Sequence, residues 1–313
     1  SDGYCGKPIE TGTAAFAMDT GAGSTTIPNF DSSFPVDFAM LTTPATSGQH
    51  NSVGARLIGP QYLRANGTNA ESGHTGFTFD SNVGWGTQGD GATWQSWMWK
   101  RHAGFDVVAY TGNNTNGRQV PHSMNKVPEM IWIKNRSAAE SWVVGHKGIN
   151  GGTNPWEYSL RLNDNLEEID YPYFMDVAPT STHFTIHSHD QVNGASSNDY
   201  IAMLFASVDG VSKVGYYTGN GTSSSSTQTI TTGFQPRYVI IKSSSNDEHW
   251  VTFDTTRGWS SGSSDQLLEL NGTDAQNTAL GDIGHPISTG FVIKNQYAPM
   301  NLNNHKYIFY AHA

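Results

Sequence analysis

Apolar residues in this chain come in short, nearly unbroken runs, and the same succession of runs is written three times. Each succession opens with a run led by proline: FPVDFAML at 34–41, VPEMIWIK at 127–134 and QPRYVIIK at 235–242. Proline is tolerated at the start of a strand but not in its middle, so each run reads as a strand entered from its proline. The lack of polar alternation predicts strands covered on both faces. Next come YLRAN at 62–66, SLRLN at 159–163 and LLELN at 267–271, alternating strands that end at an asparagine turn. TGFTF at 75–79, THFTI at 182–186 and TGFVI at 289–293 follow, and Phe77, Phe184 and Phe291 are separated by 107 residues both times. The closing runs are WQSWMW at 94–99, YIAMLF at 200–205 and YIFYA at 307–311. After the first two, the chain passes straight into GFDVVAYTGN at 104–113 and GVSKVGYYTGN at 210–220. Both read as a strand ending in a Thr-Gly-Asn turn, the second with one extra tyrosine.

A fixed long period marks a tandem array. No stretch has helical periodicity over a window of about 11 residues. The expectation is therefore an all-β protein of three tandem antiparallel β-sandwich modules, jelly-roll-like, following one another in series without flexible linkers. Their bounds are a divergent module at 1–103, a second at 104–209 and a third at 210–313. A continuous β-solenoid is the competing architecture, but its repeats are far shorter. The repetition also serves as an internal control. Residues present in every copy serve the fold, and residues present in one copy are candidates for function.

Composition supports this picture. Charged residues make up only 14% of the 313 while glycine reaches 34 positions, a profile of short strands and many turns. Net charge is −10 and no basic run exists, which argues against a nucleic-acid surface. No apolar run approaches the roughly 20 residues of a membrane helix. The opening residues 1–6 have neither the signature of a signal peptide nor that of a transit peptide. Cys5 is the single cysteine, so no internal disulfide forms and stability comes from cores or subunit contacts.

The stretches FDVVAYTGN at 105–113, VPEMIWIKNR at 127–136 and AMLFASVDG at 202–210 resemble a repeated β module of virion proteins from marine bacteriophages, those of cyanobacteria included. The resemblance is closest over 104–220 and extends more loosely to 313. It implies a phage structural protein of a tail fibre or other appendage, located on the particle surface and attaching to the host. It also implies a homotrimer, other virion proteins as neighbours and a host surface glycan or protein as partner. It brings no catalytic residues, so the chain is expected not to be an enzyme and to need no cofactor.

Several constellations could carry chemistry. His187 and His189, two apart on a strand, would share a face and could ligate one metal ion, with three copies supplying six nitrogens at a three-fold axis. Their counterparts are Asp80 and Asn82, then Lys294 and Gln296, so the pair is not a fold requirement. Trp85, Trp156 and Trp259 stand in loops without repeated partners. With Tyr171, Tyr173 and Phe174 they offer flat rings for stacking on a sugar, or for sealing one module against another. Asn154 and Asp176 would supply hydrogen bonds beside them. Gly258-Trp259-Ser260-Ser261-Gly262 fits the nucleophile-elbow pattern but lacks a following helical segment. The acidic run at 167–170 and the loops around Asp19 and Asp31 are oxygen-rich without an EF-hand spacing. Asn-Gly-Thr at 66–68, 220–222 and 271–273 reads as turn chemistry. The leading reading is a non-enzymatic phage appendage protein acting in adhesion. Its rivals are a capsid decoration or spacer protein without ligand, and a glycan-cleaving tailspike.

Overall fold

The apolar runs become strands because each can bury both faces. The computed structural model describes residues 11–313 apart from 24–26, 87–91, 223–226 and 263, so Cys5 lies outside the described residues. Segment one carries β1 (Phe16–Thr20), β2 (Phe30–Asp31), β3 (Phe38–Thr42), β4 (Ser52–Ala55), β5 (Gln61–Arg64), β6 (Ser72–Gly73), β7 (Gly84–Trp85) and β8 (Gln95–Trp99). Segment two carries β9 (Phe105–Thr111), β10 (Arg118–Pro121), β11 (Met130–Asn135), β12 (Val143–His146), β13 (Tyr158–Arg161), β14 (Ile169–Asp170), β15 (His183–Ile186), the short helix α1 (Asp190–Asn193) and β16 (Asp199–Phe205). Segment three carries β17 (Ser212–Thr218), β18 (Gln228–Thr231), β19 (Tyr238–Ser243), β20 (Val251–Asp254), β21 (Leu268–Glu269), β22 (Gly284–Ile287), β23 (Gly290–Ile293), α2 (Ala298–Asn301) and β24 (Lys306–His312).

The chain is all-β and antiparallel. Its large sheets run β1-β8-β3-β4-β5-β6, β9-β16-β11-β12-β13-β14 and β17-β24-β19-β20-β21, the same succession each time. Each is faced by a small sheet, β2-β7, β10-β15 or β18-β23-β22. Phe77, Phe184 and Phe291 are all buried between a large sheet and its cover. No described helix is long and apolar enough to cross a membrane.

The extra residue of the second seam sits in a turn and not in a strand. His102 bridges Phe105 across two residues, whereas Val208 bridges Ser212 across three, with Gly210 at φ 70°. Register then pairs Tyr216 with Ile308 where segment two pairs Ala109 with Ile201. Tyr216 therefore replaces an alanine; it is not an insertion.

The segments do not stand in series. On β11, Ile131 and Ile133 face segment two's own cover, while Met130 and Trp132 point the other way into a core shared by all three large sheets. Phe38 and Met40 on β3, and Tyr238 and Ile240 on β19, enter the same shared core. The unbroken apolar runs thus pack against two different partners.

A cyclic set of hydrogen bonds closes this arrangement. Asn51, Trp142 and Trp250 immediately precede β4, β12 and β20. The Trp142 indole donates to the Arg64 carbonyl at 2.9 Å and the Trp250 indole to the Arg161 carbonyl at 2.8 Å. The Asn51 amide donates to the Glu269 carbonyl at 3.1 Å. Segment two thus reaches one, three reaches two, and one reaches three. The backbone repeats the pattern: Glu71 N–H donates to Arg136, Glu168 to Ser244 and Gln276 to Pro44. The asparagines that end β5, β13 and β21 hold the donors in place. Asn66, Asn163 and Asn271 accept the backbone N–H groups of Asn51, Trp142 and Trp250.

Three histidines are fully buried in or beside this core. His146 accepts from the Gly148 amide at Nδ1 and donates from Nε2 to the Phe309 carbonyl, joining segments two and three. His312 stacks on Phe16 with ring centroids 4.7 Å apart, and His102 lies edge-on to it. Burial draws His102 down to about 4 and His146 to about 3, and it takes His312 well below its ordinary range.

Two outcomes are expected. Because the large sheets share one core, urea unfolding followed by circular dichroism and by fluorescence should give one coincident transition. Trp250→Phe, which orphans the Arg161 carbonyl, should lower stability by about 1–3 kcal/mol. Separate transitions, or no change in midpoint, would contradict the shared core. As to pH, the unfolded chain protonates its histidines near 6.5 while the folded state keeps these three neutral. Their contribution is complete above pH 6.5 and is lost as pH falls toward 4 and 3. Asp265, raised to about 6 by burial, acts in the opposite sense between 6 and its ordinary 3.8, offsetting roughly one histidine. Each remaining histidine contributes about 1.4 kcal/mol per pH unit, so melting temperature should fall as pH drops from 6.5, less steeply where Asp19, Asp164, Glu248 and Glu269, whose carboxyls burial also raises, act in the opposite sense. A flat profile would contradict neutral burial.

Candidate functional site

A surface groove lies where segment three meets segment two. Strands β17 and β18 are edge strands of their sheets, and the gap between them is a groove of about 340 Å³. Its apolar floor includes Ile230 and Phe309; Lys147, Lys213, Tyr216, Tyr217, Thr229 and Thr231 line its walls. Alternation along β18 buries Ile230 and leaves Thr229 and Thr231 exposed.

Tyr216 is 48% exposed, although it is a large ring on a strand. It lies along the loop 148–152 of segment two, whose glycines make room for it. A Cβ at Gly148 would overlap the Tyr216 side chain, and one at Gly152 would come within 2.7 Å of its hydroxyl. The loop needs three successive left-handed residues, Asn150, Gly151 and Gly152 at φ 52°, 64° and 83°. Glu168 accepts the Asn150 amide at 2.8 Å, and the Lys306 ammonium donates to the Asn150 side chain at 3.3 Å. The tyrosine therefore rests on an anchored platform.

Two cations border the groove. Lys147 is paired with Glu129 at 2.6 Å, and Glu129 also accepts from the Ser207 amide and hydroxyl. Burial pushes the Glu129 carboxyl up, but Lys147 and Ser207 outweigh it and hold the group below its usual range. Lys213 has no carboxylate partner within ion-pair distance among the described residues. In the matching place on β9 stands Asp106, buried and paired with Arg101 at 2.7 Å. The two segments thus carry opposite charges at this position.

The residues singled out from sequence are placed differently. Trp85, Trp156 and Trp259 are 0%, 7% and 4% exposed, and each plugs the outer core of its own segment. Trp85 packs against Phe77 and Phe79, Trp156 against Phe174 and Trp259 against Phe291. Trp85 is not in a loop but on β7 of the small sheet, paired with Phe30, and none of the three offers a ring face to solvent. Tyr173 is also buried, and burial raises its phenol against the lowering influence of Arg161.

Tyr171, Tyr173, His187 and His189 do come together. The tyrosine centroids are 4.4 Å apart, and Tyr171 lies 6.0 Å from His187 and 5.4 Å from His189. However, β15 ends at Ile186, so the histidines do not share a strand face. His189 instead caps α1, its Nδ1 accepting the Gln191 amide at 3.1 Å. The pair also sits over segment two's outer core, away from the shared core. No group of three or more potential metal ligands occurs among the described residues.

The remaining motifs serve the fold. Ser260 lies in a turn after β20, near the Gly258 carbonyl, and the next described element is the strand β21, not a helix. The acidic run at 167–170 is built into a seam: Glu167 and Glu168 donate backbone N–H groups to Asp247 and Ser244 of segment three. Asp19 accepts the Asp31 amide at 2.8 Å.

A family model described as a domain of unknown function (DUF7483) matches residues 62–313. It begins inside the first large sheet and spans segments two and three entirely. No curated protein and no solved structure matches the chain.

The burial of the loop tryptophans has a direct check. Trp156→Ala should cost about 3–5 kcal/mol of stability in chemical denaturation, as large core truncations do. An unchanged midpoint would place the ring at the surface.

Proposed function

The chain belongs to the DUF7483 family, a domain of unknown function, and we propose that it is a structural protein of a bacteriophage particle, carried on a tail fibre or other appendage and attaching to the host surface. The resemblance of segments two and three to phage appendage modules supports this reading. The observation that carries it is the cyclic packing of three like sheets round one core. Such a unit is a block whose fold is spent on shape. It also supplies within one chain the three-fold form that appendages commonly build from three chains. The inner faces of the sheets are consumed by that packing, so a homotrimer would form through outer surfaces only.

The test is to label marine phage particles with antibody raised against the purified chain and to image them. Labelling of tail appendages is expected, together with saturable binding of the purified chain to host cells. Labelling of the head alone would make it a decoration protein. Release of reducing sugar from host polysaccharide would make it a tailspike.

A further inference from the structure

We propose that the outer face of segment one's large sheet holds a binding site for an anionic sugar residue, in a cavity of about 190 Å³ walled by His50, Ser52, Tyr62, Arg64 and Trp94. Strand alternation turns these side chains the same way. Val53 on β4 and Leu63 on β5 enter the shared core, so Ser52, Tyr62 and Arg64 point outward, and register sets Ser52 opposite Arg64. Trp94, just before β8, packs with Tyr62 against the outer core. His50, just before β4, reaches the same cavity and is held by the Asn66 side chain at 3.3 Å. Tyr62 is fixed by stacking on Phe77, with centroids 5.3 Å apart. The polar atoms gathered there are free: the Arg64 guanidinium, the Ser52 hydroxyl, the Tyr62 phenol and the Trp94 indole N–H have no partner among the described residues, and none of them is enclosed. Guanidinium and indole only donate, and no carboxylate lines the cavity among the described residues, so its complement is a group rich in acceptor oxygens. The paired donors of an arginine fit an oxyanion, and aromatic rings beside it fit the apolar face of a sugar. The volume lies below the range of drug-sized ligand sites and suits one ring of a polymer.

The repetition supplies the control. At the register of Ser52, Arg64 and Trp94 stand Val143, Arg161 and Tyr200 in segment two, and Val251, Glu269 and Tyr307 in segment three. There the fold consumes them. The Tyr200 hydroxyl donates to the Asp190 carbonyl and that of Tyr307 to the Ala298 carbonyl, both at 2.8 Å, which fastens α1 and α2 over the sheet. Arg161 pairs with Asp164 at 3.7 Å, and Glu269 lies 3.3 Å from His249. Segment one has a tryptophan without a hydroxyl, a serine in place of valine and an arginine without an acidic partner. Its polar groups are thus left for something outside the fold.

This inference deepens the attachment reading and rests on it only for the source of the saccharide, since the purified chain can be tested without any particle. The probes are alginate and polygalacturonate as carboxylated polymers, dextran sulfate as a sulfated one, and dextran and methyl-esterified polygalacturonate as uncharged ones, all on a solid-phase array. A chain of net charge −10 repels polyanions in general, so their retention needs a local site. Retention of a carboxylated or the sulfated polymer is expected, with at least tenfold weaker retention of the uncharged ones, and the arm retained identifies the charged group. Arg64→Gln should weaken retention at least tenfold with an unchanged melting temperature, because the side chain bonds to nothing in the fold. Ser52→Val, which installs the residue of the other two segments, should weaken it as well. Lys213→Gln removes a cation of segment three outside the cavity and should leave retention as it is. Retention of no anionic polymer, equal retention of charged and uncharged ones, indifference to Arg64→Gln and Ser52→Val, or an equal loss with Lys213→Gln would overturn the proposal. Particle labelling without saccharide retention would leave attachment standing and remove this site.

Discussion

The packing of three large sheets against one another is the constraint on which the rest depends. Each sheet has two apolar faces, and its small cover hides only one of them. An exposed second face would be an apolar patch of the kind that drives association. The chain removes all three by turning them inward together. Direction is then set by Asn51, Trp142 and Trp250, whose side chains each satisfy a carbonyl on the next sheet. Two of the three donors are tryptophans, so one residue supplies both a large share of buried area and the bond that orients it.

The core so formed is not symmetric in its chemistry. Ala55, His146 and Asp254 occupy the same register position on β4, β12 and β20. Asp254 is held by Arg257 at 2.6 Å and accepts the Trp97 indole of segment one at 3.0 Å. His146 bonds segment three instead. Two buried lysines, Lys134 and Lys242, lie at the far end of β11 and β19, each donating to backbone carbonyls, and burial draws both down to about 8. Buried polar groups are costly unless paired with one particular partner. Here they make the three interfaces non-interchangeable, so each sheet has one correct neighbour on each side.

Some residues stand outside the repetition. Residues with counterparts in every segment are committed to cores and seams. Tyr216 and the glycine loop at 148–152 have none, and they meet only because segment three docks on segment two. The same docking absorbs the acidic run at 167–170, which had the composition of a cation site and serves as a seam.

The sequence alone determined the strands and their succession. Proline at 35, 128 and 236, the 107-residue spacing of three phenylalanines and the asparagine turns are local chemistry, and local chemistry decides which residues extend and where the chain turns. It also implied that the strands are buried on both sides. What buries them was decided by tertiary structure, because an unbroken apolar run reads the same whether it faces its own cover or another sheet. The loop tryptophans show the limit most clearly: Trp85, Trp156 and Trp259 have no repeated neighbours in sequence, yet all three fill the same kind of space. His189 looked like half of a metal pair until the strand ended at Ile186 and the ring became a helix cap. Tyr216 looked like an insertion until pairing with β24 fixed its register. Burial, register and the neighbour across a seam are properties of the packed molecule, since they depend on residues as distant in sequence as the 218 positions between Asn51 and Glu269.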